Sequence, residues 1–203
     1  MEIFFAVIFF AFSTTITPGP NNVMIMSSGV NYGIKASISH WLGICLGFPF
    51  MVLLIGLGFG IVFEQYPNLH QIIKLLGIIY LVWLAWHIAS AEPKRIEQGH
   101  SKPLNFYQAV LFQWINGKAW VMASGAIAAF TTLQGVYWQE VLIITLAFLI
   151  VAFPCIGLWL ICGALLRKVL TKPLFQRVFN ISMAVILLLS MVPVMLELWH
   201  YYF

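Results

Sequence analysis

The chain has 203 residues, of which 62% are hydrophobic and only 8% are charged, and its mean hydropathy is +0.97. Soluble domains carry charge on about a quarter of their residues, so this composition excludes a soluble protein and indicates one compact membrane domain. The net charge of +4 comes from Lys and Arg in the predicted loops, which is typical of membrane orientation rather than of nucleic-acid binding.

Six apolar segments long enough to cross a lipid bilayer are predicted, at about residues 3–27, 37–62, 69–90, 105–131, 139–163 and 176–199. Most of the Lys and Arg residues fall in or beside the first, third and fifth loops between these segments. By the positive-inside rule those loops are cytoplasmic. An even number of spans then places both termini on the opposite side of the membrane.

The first segment is interrupted by Thr17, Pro18, Gly19, Pro20, Asn21 and Asn22. Proline lacks a backbone N–H and clashes with the preceding turn, so the helix must break here. In lipid, a broken helix is tolerated only where it is buried in protein or lines a cavity. Carbonyls just before the break could receive an ammonium group, and the helix restarting near Asn21 could receive a carboxylate. These two features suit a zwitterionic amino acid; the alternative is a proline kink that serves packing alone.

The fourth segment contains a second candidate break, Asn116-Gly117-Lys118. Lys118 is predicted near the bilayer midplane, where even low estimates put the cost of insertion at about 2.5–3.5 kcal/mol, so it needs a partner. Its candidate partners are the carbonyls of the first break, Asn21, Asn116 or a substrate carboxylate. Direct contact with substrate and structural pinning of the two breaks both stay open. Gln113 precedes this break by one turn and is expected to line the same cavity.

A polar stretch at residues 91–104 divides the chain into halves of three segments each, about residues 1–90 and 105–203. Because three is odd, the halves insert with opposite orientations, as in the inverted repeats of many secondary transporters. Phe48-Pro49 in the second segment and Phe153-Pro154 in the fifth support this relation. The predicted fold is therefore an all-α integral membrane protein with six transmembrane helices in two inverted three-helix repeats, in which helices 1 and 4 are broken.

The sequence offers no grouping of residues for catalysis, metal binding or nucleotide binding, so we expect a transporter without cofactors rather than an enzyme. Cys45, Cys155 and Cys162 lie in apolar runs without metal-ligand spacing and are predicted to be core residues. An integral membrane enzyme would need paired carboxylates or a metal cluster. A channel, a structural membrane subunit, and an exporter of another metabolite or of a metal ion are the remaining alternatives.

Three features resemble the LysE/RhtB family of bacterial amino-acid exporters. They are Thr17-Pro18-Gly19-Pro20-Asn21, the run from Gly77 to Trp86, and Asn116-Gly117-Lys118, in which Gly117 replaces the family's usual proline. The resemblance extends over essentially the whole chain and is greatest to the branch that exports cysteine, O-acetylserine, homoserine and threonine. It implies a proton-coupled exporter of the bacterial inner membrane with periplasmic termini, and it leaves a homo-oligomer open.

The predicted substrate site comprises Thr17, Pro18, Gly19, Pro20, Asn21, Asn22, Gln113, Asn116 and Lys118. No acidic residue is predicted near it, which disfavours a dibasic substrate such as lysine. The absence of a carboxylate also leaves the coupling group open. A proton carried by Lys118, His40 or His87, and a Na⁺ ion bound by carbonyls, all stay possible.

Overall fold

The computed structural model describes residues 2–59, 65, 67–90, 102–131, 136–169, 173–189, 192, 195–196 and 199. Its helices are α1 (Glu2–Ile16), α2 (Pro20–Leu54), α3 (Pro67–Ala89), α4 (Phe106–Ile115), α5 (Gly117–Phe130), α6 (Tyr137–Val169) and α7 (Pro173–Leu189). A π-helical turn, Ile55–Phe59, extends α2. The described residues contain no strand, so the predicted all-α class is confirmed for them. Most of the loop predicted at residues 91–104 lies outside the described residues.

Helix α2 is a hairpin of two helical arms. Gly33 has φ 78° and ψ 175°, a conformation that interrupts the helix and that favours glycine. Ser28 Oγ lies 2.9 Å from His40 Nδ1, although twelve residues of straight helix would separate these positions by about 18 Å. The chain therefore reverses at Gly33. Residues 20–32 form the first arm and residues 34–54 the second arm.

The core lies where α2 packs against α6. Apolar side chains from both helices are buried there, among them Met51 and Val52 of α2 and Ala147 and Phe148 of α6. The first arm crosses α6 at glycine, because a Cβ added to Gly163 would overlap the backbone carbonyl of Met26. Close approach through glycine is typical of helix pairs in membranes. This crossing fixes the first arm, which begins at the first break, against α6.

The outer surface of the helices is strongly apolar. Phe5 and Phe9 of α1 are 65% and 73% exposed, and Trp86 of α3 is 72% exposed. Water-exposed proteins rarely present so many large apolar side chains together, whereas lipid accommodates them. Two described stretches, Pro20–Gly58 and Tyr137–Arg167, are long and apolar enough to cross a membrane, although the first contains the reversal at Gly33.

Candidate functional site

The first helix break separates α1 from α2. Thr17, Pro18 and Gly19 are not helical, and α1 ends at Ile16 because neither proline that follows can donate to the preceding turn. Pro20 then occupies the first turn of α2, where backbone N–H groups have no partner within the helix anyway. The interruption predicted from the sequence is present. It leaves a helix C-terminus and a helix N-terminus separated by three residues.

The second break lies at Asn116, between α4 and α5. Asn116 has φ −86° and ψ 102°, so it leaves the helix although no proline is nearby. Its carbonyl accepts from the N–H of Ala119 at 2.9 Å and starts α5. The indole Nε1 of Trp120 donates to the carbonyl of Trp114 at 2.8 Å and so bridges the break. The interruption predicted at Asn116-Gly117-Lys118 is therefore a single extended residue.

Lys118 joins the two breaks. Its Nζ donates to the Thr17 carbonyl at 2.8 Å, to Thr17 Oγ1 at 2.8 Å and to the Pro18 carbonyl at 3.2 Å. An ammonium group has three donors, and these contacts use all of them. Gly19 gives the lysine room, since a Cβ there would lie 2.6 Å from Lys118 Cδ. Among the partners considered from the sequence, the structure shows the carbonyls of the first break.

The sequence led us to expect free carbonyls at the end of α1. In the structure these carbonyls are paired. Asn22 Nδ2 donates to the carbonyls of Thr15 at 2.8 Å and of Thr17 at 2.7 Å. Trp159 Nε1, on α6, donates to the carbonyl of Ile16 at 3.1 Å. Unpaired carbonyls at a helix C-terminus can be satisfied by side chains, and here the protein supplies those side chains itself. Proline position predicts which carbonyls lose their helical partners, but not which side chains replace them.

Asn21 and Gln113 form a reciprocal amide pair between α2 and α4. Asn21 Nδ2 donates to Gln113 Oε1 at 2.8 Å, and Gln113 Nε2 donates to Asn21 Oδ1 at 3.1 Å. Gln113 is fully buried and also donates to the carbonyl of Ala109 at 2.9 Å. The pair is a second connection between the two breaks, in addition to Lys118.

A cavity lies between the two breaks. Its volume of about 30 Å³ is room for about two water molecules. Its lining residues are Thr14, Thr15, Gly19, Asn21, Asn22, Ile44, Phe48, Asn116, Lys118, Ala119, Met122, Ala152 and Ile156. The polar ones come from the two breaks, and the apolar ones come from α5, α6 and the second arm of α2. No carboxylate is among these lining residues.

Two oxygen atoms in this lining have no partner in the described part of the chain. They are Thr15 Oγ1 and Asn116 Oδ1, and both atoms are buried. The residues themselves are 7% and 2% exposed. A buried polar group without a partner costs free energy, so a hydrogen bond from a bound molecule to either atom would be favourable.

The structure brings the predicted site residues together. Gly19, Asn21, Asn22, Asn116 and Lys118 line the cavity. Thr17 and Pro18 hold Lys118, Gln113 holds Asn21, and Pro20 begins α2, so these four adjoin the cavity without lining it.

The apolar wall of the cavity was not predicted from the sequence. Ile44 and Phe48 belong to the second arm of α2, and Ala152 and Ile156 belong to α6. A signal was present, because Phe48 belongs to one of the Phe-Pro pairs that relate the two halves and the other three residues lie within five positions of a pair. Apolar residues are so common in this chain that the pairs did not indicate a cavity wall.

His40 is buried one helical turn before Ile44 of the cavity, and its Nδ1 lies 2.9 Å from Ser28 Oγ. His40 is not among the lining residues of the cavity, and its role as the coupling group stays a prediction. The side chain of His87 lies outside what the structure describes. Cys45 and Cys155 are buried and unlinked, as predicted for core residues, whereas Cys162 is unlinked but only half-buried, so it is not a core residue.

Comparison with known proteins gives a consistent result. The LysE type translocator family matches residues 12–197. Proteins named "Cysteine/O-acetylserine efflux protein" from Escherichia coli (strain K12) and Shigella flexneri serotype 5b (strain 8401) are each 30% identical over 178 residues. The protein of that name from Escherichia coli O139:H28 is 30% identical over 179 residues. Each alignment covers 86% of this chain and 88% of the relative. No solved structure matches the chain.

Proposed function

Because this chain belongs to the LysE type translocator family, we propose that it exports a small neutral amino acid or a close derivative across the bacterial inner membrane. The similar proteins named for efflux of cysteine and O-acetylserine support substrates of this size and charge, with homoserine and threonine as further candidates. We propose that export is secondary and driven by the proton gradient.

The observation that carries the proposal is the cavity between the two helix breaks. The helices that start at Pro20 and Gly117 both begin at this cavity, and Lys118 lies between them. Helix N-termini and an ammonium group favour a carboxylate. The substrate's carboxylate therefore lies near Asn21 or Lys118, and its side chain lies against the apolar wall formed by Ile44, Phe48 and Ile156.

The lining also supports a neutral substrate. A lysine or arginine side chain would bring a second positive charge into a cavity that already contains Lys118 and whose lining includes no carboxylate. Burying a charge without a partner is strongly unfavourable. Small neutral amino acids avoid this cost, because their two charges are both met near the helix breaks.

The proposed membrane arrangement has six spans in two inverted repeats. The described helices are compatible with it if α1 with the first arm of α2, and α4 with α5, are counted as the two broken spans. The site then lies at the interface of the repeats, near mid-depth, as in other transporters with inverted repeats. Alternating access would follow from rocking one repeat against the other.

Efflux from proteoliposomes tests the proposed function. The purified protein would be reconstituted into vesicles loaded with radiolabelled cysteine, O-acetylserine, threonine, leucine or lysine, and an inward proton gradient would be imposed. We expect saturable, gradient-dependent efflux of a small neutral amino acid and no efflux of lysine. Vesicles without protein are the control. Equal leakage of every amino acid from both kinds of vesicle would contradict the proposal.

A further inference from the structure

We propose that Asn116 and Thr15 form the subsite that binds the ammonium group of the exported amino acid. This inference rests on the proposed function, because it assigns the part of the same cavity that faces away from the carboxylate. It replaces the carbonyls at the end of α1, to which the sequence had assigned this role.

Two buried oxygen atoms on lining residues support the assignment. Both ends of the Asn21 amide are paired with Gln113, and the amide nitrogen of Asn22 donates to two backbone carbonyls. Lys118 has no acceptor atom to offer an ammonium group. Thr15 Oγ1 and Asn116 Oδ1 are buried oxygen atoms without a partner in the described chain, and both residues line the cavity.

Because these atoms can accept hydrogen bonds, they favour a ligand group that donates them. The amide oxygen Oδ1 of Asn116 can only accept hydrogen bonds, and a hydroxyl such as that of Thr15 can accept as well as donate. Thr14 also lines the cavity, and its hydroxyl donates to the Phe10 carbonyl at 2.7 Å, so its oxygen can still accept a hydrogen bond. Three lining residues can therefore offer acceptors, and an ammonium ion has three N–H groups.

The position of Lys118 distinguishes a zwitterion from a simple cation. A metal ion or an amine without a carboxylate would enter a cavity that already contains an ammonium group, and like charges repel at this range. An amino acid can point its carboxylate toward Lys118 and the start of α2 while its ammonium group meets Asn116 and Thr15. Both ends of the zwitterion are then satisfied.

The subsite is tested by comparing ligands with and without an amino group, bound to variants with and without the proposed acceptors. Dissociation constants would be measured by titration calorimetry on the full-length protein in lipid nanodiscs. The ligand pairs are cysteine with 3-mercaptopropionate, threonine with 3-hydroxybutyrate, and leucine with 4-methylpentanoate, in which the second member lacks the amino group. The variants are Thr15→Val and Asn116→Leu, which keep the branching of each side chain while replacing its polar atoms with methyl groups. Thr145→Val is the control, because among the described residues that hydroxyl donates within α6, to the carbonyl of Val141.

We expect each variant to bind the preferred amino acid about ten-fold more weakly, while its affinity for the partner without an amino group changes by less than about two-fold. Thr145→Val should change neither value. Thermal unfolding provides the second readout. Replacing a buried polar atom that has no partner by a methyl group should leave the melting temperature unchanged or raise it.

Four results would overturn the assignment, and the last of them would reject the proposed function as well. Equal weakening of both members of a ligand pair would show that the two residues do not recognise the amino group. Unchanged affinities would show that they do not contribute to binding. A lower melting temperature in both variants would show that the two atoms are paired within the protein. Failure of the wild-type protein to bind any of the three amino acids would instead reject the proposed function, and the subsite with it.

Discussion

Lys118 places a positive charge between the two helix breaks, where three oxygen atoms of the first break surround it. The sequence located this residue because a lysine near the centre of an apolar segment is costly and needs a partner. It did not decide between pinning and substrate contact, because that depends on which acceptors lie within about 3 Å in the folded chain. The structure shows the pinning contacts, and Thr17 and Pro18 make them.

Removing the Lys118 side chain should abolish export. In Lys118→Ala the Thr17 hydroxyl and the Pro18 carbonyl lose the ammonium donor, the Thr17 carbonyl keeps only Asn22, and the cavity loses the charge that we propose attracts the carboxylate. We expect efflux from proteoliposomes to fall to the level of vesicles without protein, while the variant still inserts into the membrane. Lys102→Ala is the matched control, since Lys102 is exposed and away from the cavity. Export by Lys118→Ala at the rate of this control would contradict the assigned role.

At the scale of helices, the two breaks were predictable to different degrees. Two prolines within three residues enforce the first break locally, so the sequence predicted it well. Asn116 has no such constraint beside it, and its break was predicted only through the paired interruption in the first half of the chain. The sequence also predicted a loop between residues 27 and 37. The structure instead has a tight reversal at Gly33, because this one residue adopts a positive φ. A single glycine in an apolar stretch is not enough to predict that conformation from the sequence.

The crossing of α2 and α6 should not tolerate a side chain at Gly163. A Cβ there would overlap the backbone carbonyl of Met26, which cannot move without shifting the first arm. We expect Gly163→Ala to lower the melting temperature of the purified protein by about 5 °C or more. Gly125→Ala is the matched control, because nothing lies within 4 Å of its added Cβ and alanine favours the helix. Similar melting temperatures for the two variants would contradict the close crossing.

At the scale of the whole molecule, the apolar outer surface and the distribution of charge determine how the protein lies in the membrane. The sequence predicted an apolar surface well, since 62% of the residues are hydrophobic. It could not predict which apolar side chains face inward, because in this chain the residues facing lipid are as hydrophobic as those of the core. Phe148 is fully buried whereas Phe9 is 73% exposed. The difference comes from packing in the folded chain, where the Phe148 ring contacts Phe48 of α2 and Phe10 of α1.

Labelling of single cysteines would test the proposed topology. Cys45, Cys155 and Cys162 would first be replaced by alanine, and one cysteine would then be introduced as Lys35→Cys or Val136→Cys. Both positions are exposed, and the six-span arrangement puts them on opposite sides. In intact bacterial cells with a permeabilised outer membrane, a membrane-impermeant maleimide should label Val136→Cys but not Lys35→Cys. Inside-out vesicles should give the reverse pattern, and labelling of both variants from the same side would contradict the arrangement.

Determining the structure of the protein in a lipid nanodisc with its exported amino acid bound would show whether the cavity is the substrate site. We expect the amino acid between the two breaks, with its ammonium group within hydrogen-bonding distance of Asn116 and its carboxylate toward Lys118 and the start of α2. Because the cavity is small, the helices around it should separate to admit the ligand. A ligand bound elsewhere, with the two breaks unchanged and the cavity unfilled, would contradict the proposal that these breaks build the transport site.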